Sequence, residues 1–236
     1  MSAIFKREFK AYFTTPVGYV FLALMMFAQG MGFIDMFKAG STDIGDMFST
    51  FLSFAAIFLL IPILTMRTMS EDRRQKVDQV LITSPVSLYA IVFGKFFATL
   101  AIFMLGYVLT PVFQTIIAFQ GLPVNWLIYI GNIMGVCLIG SALIAMGIFI
   151  STLTENQLVA AVGSFAASIV LYMMDAISET INISWITTAV EKISFTGRYN
   201  TFAVGIIDYS NIVFFLGFAA IFIFLTVRVL DKRRYS

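Results

Sequence analysis

The side chains able to do chemistry are concentrated in one polar interval, residues 67–87 (RTMSEDRRQKVDQVLITSPVS). Acids and bases stand close together there: Arg67, Glu71, Asp72, Arg73, Arg74, Lys76 and Asp78. Such a stretch suits the docking of a soluble partner; the plainer alternative is a solvated loop whose basic residues only fix topology. Catalysis finds little to work with. The chain has no His, and its one cysteine, Cys137, sits in an apolar run, so neither an internal disulfide nor a zinc cluster is possible. No paired acids and no Ser with a plausible base lie in the apolar stretches, so an enzyme is not expected. The only Gly-Lys pair, Gly94-Lys95, lacks the upstream glycine and the following Ser or Thr of a phosphate-cradling loop. If this chain drives transport, the energy must come from a partner.

The spacing within the interval predicts a helix over 70–83. Ser70 is placed as N-cap, with Glu71 and Asp72 in the first turn, where negative charge suits the helix dipole. Val77, Val80 and Leu81 share one face, while Arg73, Arg74, Lys76, Asp78 and Gln79 take the other. Ser84 precedes Pro85, which disfavours helix there.

The surroundings of this stretch are apolar. With 60% apolar residues, 12% charged residues and a mean hydropathy of +0.94, the chain carries about half the charge of a soluble domain. It reads as an all-α polytopic membrane protein. Six stretches match the ~30 Å of bilayer hydrocarbon: 17–36, 47–66, 90–119, 126–151, 158–176 and 210–229. The third is too long for a straight span, so Pro111 is expected to kink it or its end to leave the bilayer. Residues 2–13 place Phe5, Phe9, Tyr12 and Phe13 opposite Lys6, Arg7 and Lys10, the pattern of a basic amphipathic helix in the membrane interface. A plain basic flank before a signal anchor is the alternative; a cleaved signal peptide is not expected.

Orientation follows from Lys and Arg. With the N-terminus inside, the inner segments hold Lys6, Arg7, Lys10, Arg67, Arg73, Arg74, Lys76, Lys95, Arg228, Lys232, Arg233 and Arg234, and the outer ones only Lys38, Lys192 and Arg198, twelve against three. Both termini and the 67–89 segment are therefore expected in the cytoplasm, and 177–209 outside. The span cores are nearly free of charge, with Asp35, Arg67, Lys95, Asp175 and Arg228 at span ends, which weighs against an ion-coupled carrier. Small residues recur four apart: Gly131 and Gly135, Ser141 and Ala145, Gly147 and Ser151, then Ala160, Ser164 and Ser168. They permit close helix approach, within one bundle or at a dimer face. Tyr19, Tyr107, Tyr129 and Tyr172 line a path or mark interfaces.

These motifs, in this order, resemble the type-2 ABC exporter (ABC-2) permeases, and within them the gliding-motility-type permeases. The stretch Arg67-x-x-Ser70-Glu71-Asp72-Arg73-Arg74, followed by Leu81-Ile82-Thr83-Ser84-Pro85-Val86-Ser87, looks like that family's cytoplasmic stretch, with Asp72 where many relatives have Glu. Gly94-Lys95-Phe96, the 151–157 loop STLTENQ, and Arg198-Tyr199-x-x-Phe202-x-x-Gly205-Ile206 follow in order.

The resemblance implies a coupling helix within 68–84, seated in an ATPase subunit through Glu71, Asp72, Arg73, Arg74, Gln75, Lys76 and Asp78. It implies a second cytoplasmic contact at Thr154, Glu155, Asn156 and Gln157, and an outer re-entrant segment, 177–209, with Arg198, Tyr199, Phe202 and Gly205 as its motif. The implied assembly is two ABC ATPase subunits, which bind ATP and Mg, with this chain and a second permease, itself or a paralogue, in the bacterial cytoplasmic membrane. Membrane lipids are expected partners; nucleic acid is not. A non-transporting scaffold or anchor for an ATPase-driven motility or secretion machine is the alternative.

Overall fold

The computed structural model describes residues 1–40, 44–49, 51–77, 86–119, 125–180 and 193–234. Those residues form helices and turns, with no strand among them. Long apolar runs must satisfy their backbone groups internally, and only a helix does so within one segment. In chain order the helices are α1 (Ser2–Thr14), α2 (Pro16–Lys38), α3 (Ile44–Ser49), α4 (Phe51–Thr65), α5 (Ser70–Arg74), α6 (Leu88–Leu105), α7 (Thr110–Phe119), α8 (Trp126–Leu153), α9 (Gln157–Thr180), α10 (Phe195–Ala203) and α11 (Tyr209–Arg234).

Among the described residues, five helical stretches are long and apolar enough to cross a membrane: Pro16–Lys38, Leu88–Phe119, Trp126–Leu153, Gln157–Met174 and Tyr209–Arg234. The chain is thus an α-helical protein of multi-pass membrane character. The stretch expected as a span over 47–66 is helical over Ile44–Ser49 and Phe51–Thr65, with residue 50 outside the described residues.

Helix α8 is the axis of the bundle. It packs against α4, α6, α9, α10 and α11, and its apolar window is 72% buried against 17% for α9. Its small residues let neighbours close in, as packing without a hydrophobic driving force requires. A methyl group on Gly147 would overlap Thr65 of α4, and one on Gly140 would overlap the Phe103 ring of α6. Gly131 and Gly135 meet Phe202 of α10. The small-residue repeat of α8 therefore serves packing within this one chain. Helix α2 buries a single stripe, Gly18, Phe21, Met25, Ala28, Gln29, Gly32 and Met36, and leaves its other side apolar and exposed, as lipid contact requires.

The long third stretch breaks in the turn just before Pro111, where a proline that cannot bond the Tyr107 carbonyl and crowds it interrupts a helix. Turn residues 106–109 separate α6 from α7, with the amides of Gly106, Tyr107 and Val108 bonded three residues back, to Phe103, Met104 and Leu105. Pro111 is the second residue of α7, a first-turn position where its missing N–H costs nothing.

Candidate partner-docking site

The polar interval lies at the end of the bundle that carries α1 and the C-terminal end of α8. Helix α5 is only Ser70–Arg74. Lys76, at φ 58, has left the helical region, and a left-handed residue ends a helix. The 70–83 helix read from the spacing is therefore interrupted at its second turn; Asp78, Val80 and Leu81 fall outside the described residues. Ser70 is not the N-cap. That position is Met69, without a side-chain cap bond, because α8 supplies the acceptor. Ser151 Oγ takes the amides of Met69 (3.2 Å) and Ser70 (3.1 Å) and donates to the Met66 carbonyl (3.0 Å). Ser70 turns its own hydroxyl back to Met66 and is buried.

The centre of the site is a side chain that the sequence placed at a span end and in the Gly94-Lys95-Phe96 motif, without a role in docking. Lys95, in the second turn of α6, is 1% exposed. Its ammonium lies 2.6 Å from Asp72 of α5 and 3.1 Å from Glu8 of α1, and donates to the Thr68 carbonyl. Arg7 closes the ring, 3.4 Å from Asp72 and 2.5 Å from Glu8. Two cations and two carboxylates thus neutralise one another where an unpaired charge would be costly. The ring joins α1, α5 and α6.

A second set of contacts ties the α4–α5 connection to α1. Arg67 bridges to Glu71 at 2.6 Å, four residues on, and donates to Thr15 Oγ1 at 2.8 Å. Tyr12 Oη donates to the Leu64 carbonyl (3.0 Å) and lies 3.1 Å from Thr99 Oγ1. Burial holds the Tyr12 phenol well above the usual tyrosine range. Between these contacts is a cavity of about 330 Å³ lined by Arg7, Tyr12, Thr15, Arg67, Glu71 and Asp72.

The residues named from the sequence therefore divide. Glu71 and Asp72 are half-buried and turned onto the chain's own Arg67 and Lys95. Arg73 reaches Glu155 at 2.8 Å and the Leu153 carbonyl at 3.4 Å, so the two segments named as separate contacts meet in one place. Arg74, Gln75 and Lys76 are exposed. Asn156 caps α9, accepting from the Leu158 amide (2.9 Å), and Thr154 accepts from Asn156 (3.1 Å). A cleft of about 480 Å³ between the segments is lined by Met66, Arg74, Glu155, Asn156, Gln157 and Leu158.

The motif at the other end of α8 also resolves into packing. Tyr199 and Phe202 are buried, and Tyr199 Oη donates to Asn132 Oδ1 of α8 at 2.9 Å. Arg198 donates to Asn211 Oδ1 at 2.7 Å and lies 4.2 Å from the Phe214 ring centre. Gly205, at φ 80, closes α10: its amide bonds the Phe202 carbonyl and that of Ile206 the Thr201 carbonyl, both at 2.9 Å. This double closure needs a left-handed residue, the conformation glycine adopts most readily. Residues 181–192 of the expected outer segment lie outside the described residues.

Sequence reasoning missed Lys95 and Glu8 as site residues. The signal for Lys95 was a lone cation in an apolar stretch with no acid within one helical turn, which requires a partner from elsewhere in the fold. No group of His, Cys, Asp and Glu able to hold a metal occurs among the described residues. No model of a known protein family matches the chain, and no curated protein matches it.

Proposed function

We propose that this chain is the transmembrane permease subunit of an ATP-binding-cassette exporter. In this reading it has six spans, the second made of α3 and α4, and both termini lie in the cytoplasm. A separate ATPase subunit docks on α5 and on the 154–157 turn. The observation that carries the reading is the way α5 is mounted. It is a short polar helix between the second and third apolar stretches, with its acids engaged inward and a basic edge, Arg74 and Lys76, left exposed. Force applied to that edge reaches α6 through Lys95, α8 through Ser151 and α1 through Arg7. The chain has no ATP-binding loop of its own, so ATP and Mg belong to the partner.

The work would be a shift between two packings of the bundle, driven by the different affinity of the ATPase pair for ATP in each. The nearly charge-free spans favour a lipid-like or amphipathic cargo over a small ion. The test is ATP hydrolysis by the reconstituted complex with its ATPase subunit, with and without a membrane lipid extract. Stimulation by a lipid fraction supports export; a rate indifferent to every fraction removes it in favour of a mechanical scaffold.

A further inference from the structure

Midway along α2, on its buried stripe, is Gln29, 2% exposed. Neither its Oε1 nor its Nε2 has a hydrogen-bond partner among the described residues, and the same holds for Tyr107 Oη. Gln29 and Tyr107 lie close enough to act on one another but not in a hydrogen-bonding geometry, and Tyr107 stands in the 106–109 break of the third apolar stretch. Several other buried polar groups on this half of the bundle do find partners, although Thr196 Oγ1 does not. Tyr199 donates to Asn132, Asn132 donates to the Ile128 and Ala203 carbonyls, and Thr110 lies 3.2 Å from Tyr129 Oη. Gln114 Oε1, on α7, is the other exception near the break.

Leaving buried donors and acceptors unmade is strongly unfavourable, and an apolar side chain of similar size would avoid it. Breaks in spanning helices with polar groups beside them are where membrane proteins place ligand sites. An amide and a phenol together offer three donors and two acceptor oxygens, which suits a hydroxyl, able to give and take at once. Among the described residues the neighbours of the pair, Phe48, Phe103 and Met25, are uncharged, so a charged group would be unmatched there. The walls are apolar: the Phe48 ring stacks on Tyr107 at 5.8 Å, Phe103 meets it edge-on at 5.5 Å, and Met25 packs against Gly106.

We propose that Gln29 and Tyr107 form a receptor for the hydroxyl group of an uncharged amphipathic molecule, held within the bundle with its apolar part against Met25, Phe48 and Phe103. As cargo recognition this rests on the permease reading. The binding itself is measured on the chain alone, so the two claims fail separately.

The experiment compares wild type, Gln29→Leu, Tyr107→Phe and the double variant in phosphatidylcholine nanodiscs. Thermal midpoints are read without additive, with 1-monooleoylglycerol, and with methyl oleate, which has the tail and no hydroxyl. Without additive the variants are expected to melt about 2–4 °C above wild type, because unmade polar groups have been removed. Monooleoylglycerol is expected to raise the wild-type midpoint and leave the double variant unmoved, and methyl oleate to move neither. Variants that melt below wild type would show that the two groups satisfy one another, overturning the site. An equal monooleoylglycerol shift in wild type and double variant, or none in either, would assign the pair to nonspecific lipid effects or to internal water and overturn it as well.

Discussion

Replacing Lys95 by Met tests the mounting of α5 directly. The substitution keeps the length and apolar stem of the side chain and deletes the ammonium. It leaves Asp72 and Glu8, whose side chains are 18% and 14% exposed, facing each other's field without the cation between them. Removing one partner of a buried ion pair destabilises by about 3–5 kcal/mol. Arg7 already lies 3.4 Å from Asp72 and compensates in part, which places the expectation at the lower end, about 3 kcal/mol. For a chain of this size that corresponds to a fall of about 6–12 °C in the thermal midpoint. Asp72→Asn alone should cost less, since Lys95 keeps Glu8 and the Thr68 carbonyl. The double variant should lie well above the sum of the two losses, because it removes opposite charges together. The assay is a thermal melt of all four proteins in one detergent, with limited proteolysis at residues 73–77 as a local readout. A Lys95→Met midpoint within about 2 °C of wild type, or strictly additive losses, would refute the claim that α5 is held by this charge ring.

Ser151→Ala strands the amides of Met69 and Ser70 and should weaken the seat of α5 by about 1–3 kcal/mol, seen as faster amide exchange at residues 69–74 with little change elsewhere in α8. Gly147→Ala places a methyl group into Thr65 and should destabilise by about 1–3 kcal/mol; adding Thr65→Gly should recover part of the loss in the same melt. At alkaline pH the buried Tyr12 phenol stays protonated in the folded protein above the pH at which the unfolded chain ionises. Its contribution to stability is therefore complete below about pH 10 and declines as the pH rises beyond that, and Tyr12→Phe should melt with a shallower alkaline fall than wild type.

The membrane character was legible because it depends only on runs of apolar residues, and a run such as 126–151 has no other stable use. The Arg67–Glu71 pair was legible too, since four-residue spacing on a helix is local. What the sequence concealed depends on residues far apart in the chain. Asp72 looked like a first-turn acid free for a partner, but its counterion, Lys95, lies 23 positions on and comes close only through the packing of α5, α6 and α1. Ser70 looked like an N-cap because nothing local shows that Ser151 would bring an acceptor from α8. The break in the third stretch, by contrast, was legible: Pro111 was expected to kink it, and the chain turns just before Pro111, which begins α7. Gln29 drew no attention because charged residues, small residues and tyrosines were weighed inside the spans, and amides were not. Its place on the buried stripe of α2 marks it, once the helical phase of Phe21, Met25 and Gly32 is followed.

The central claim, that an ATPase docks on the exposed edge of α5, is tested most directly by purifying the tagged chain from its native membranes in mild detergent. Wild type is compared with the Arg74→Glu, Lys76→Glu double variant. Both positions are exposed, so the variant should melt with wild type. An ATP-binding subunit retained in stoichiometric amount by wild type and lost from the variant is the predicted result. A wild-type chain that repeatedly emerges intact with no ATP-binding subunit would contradict the account.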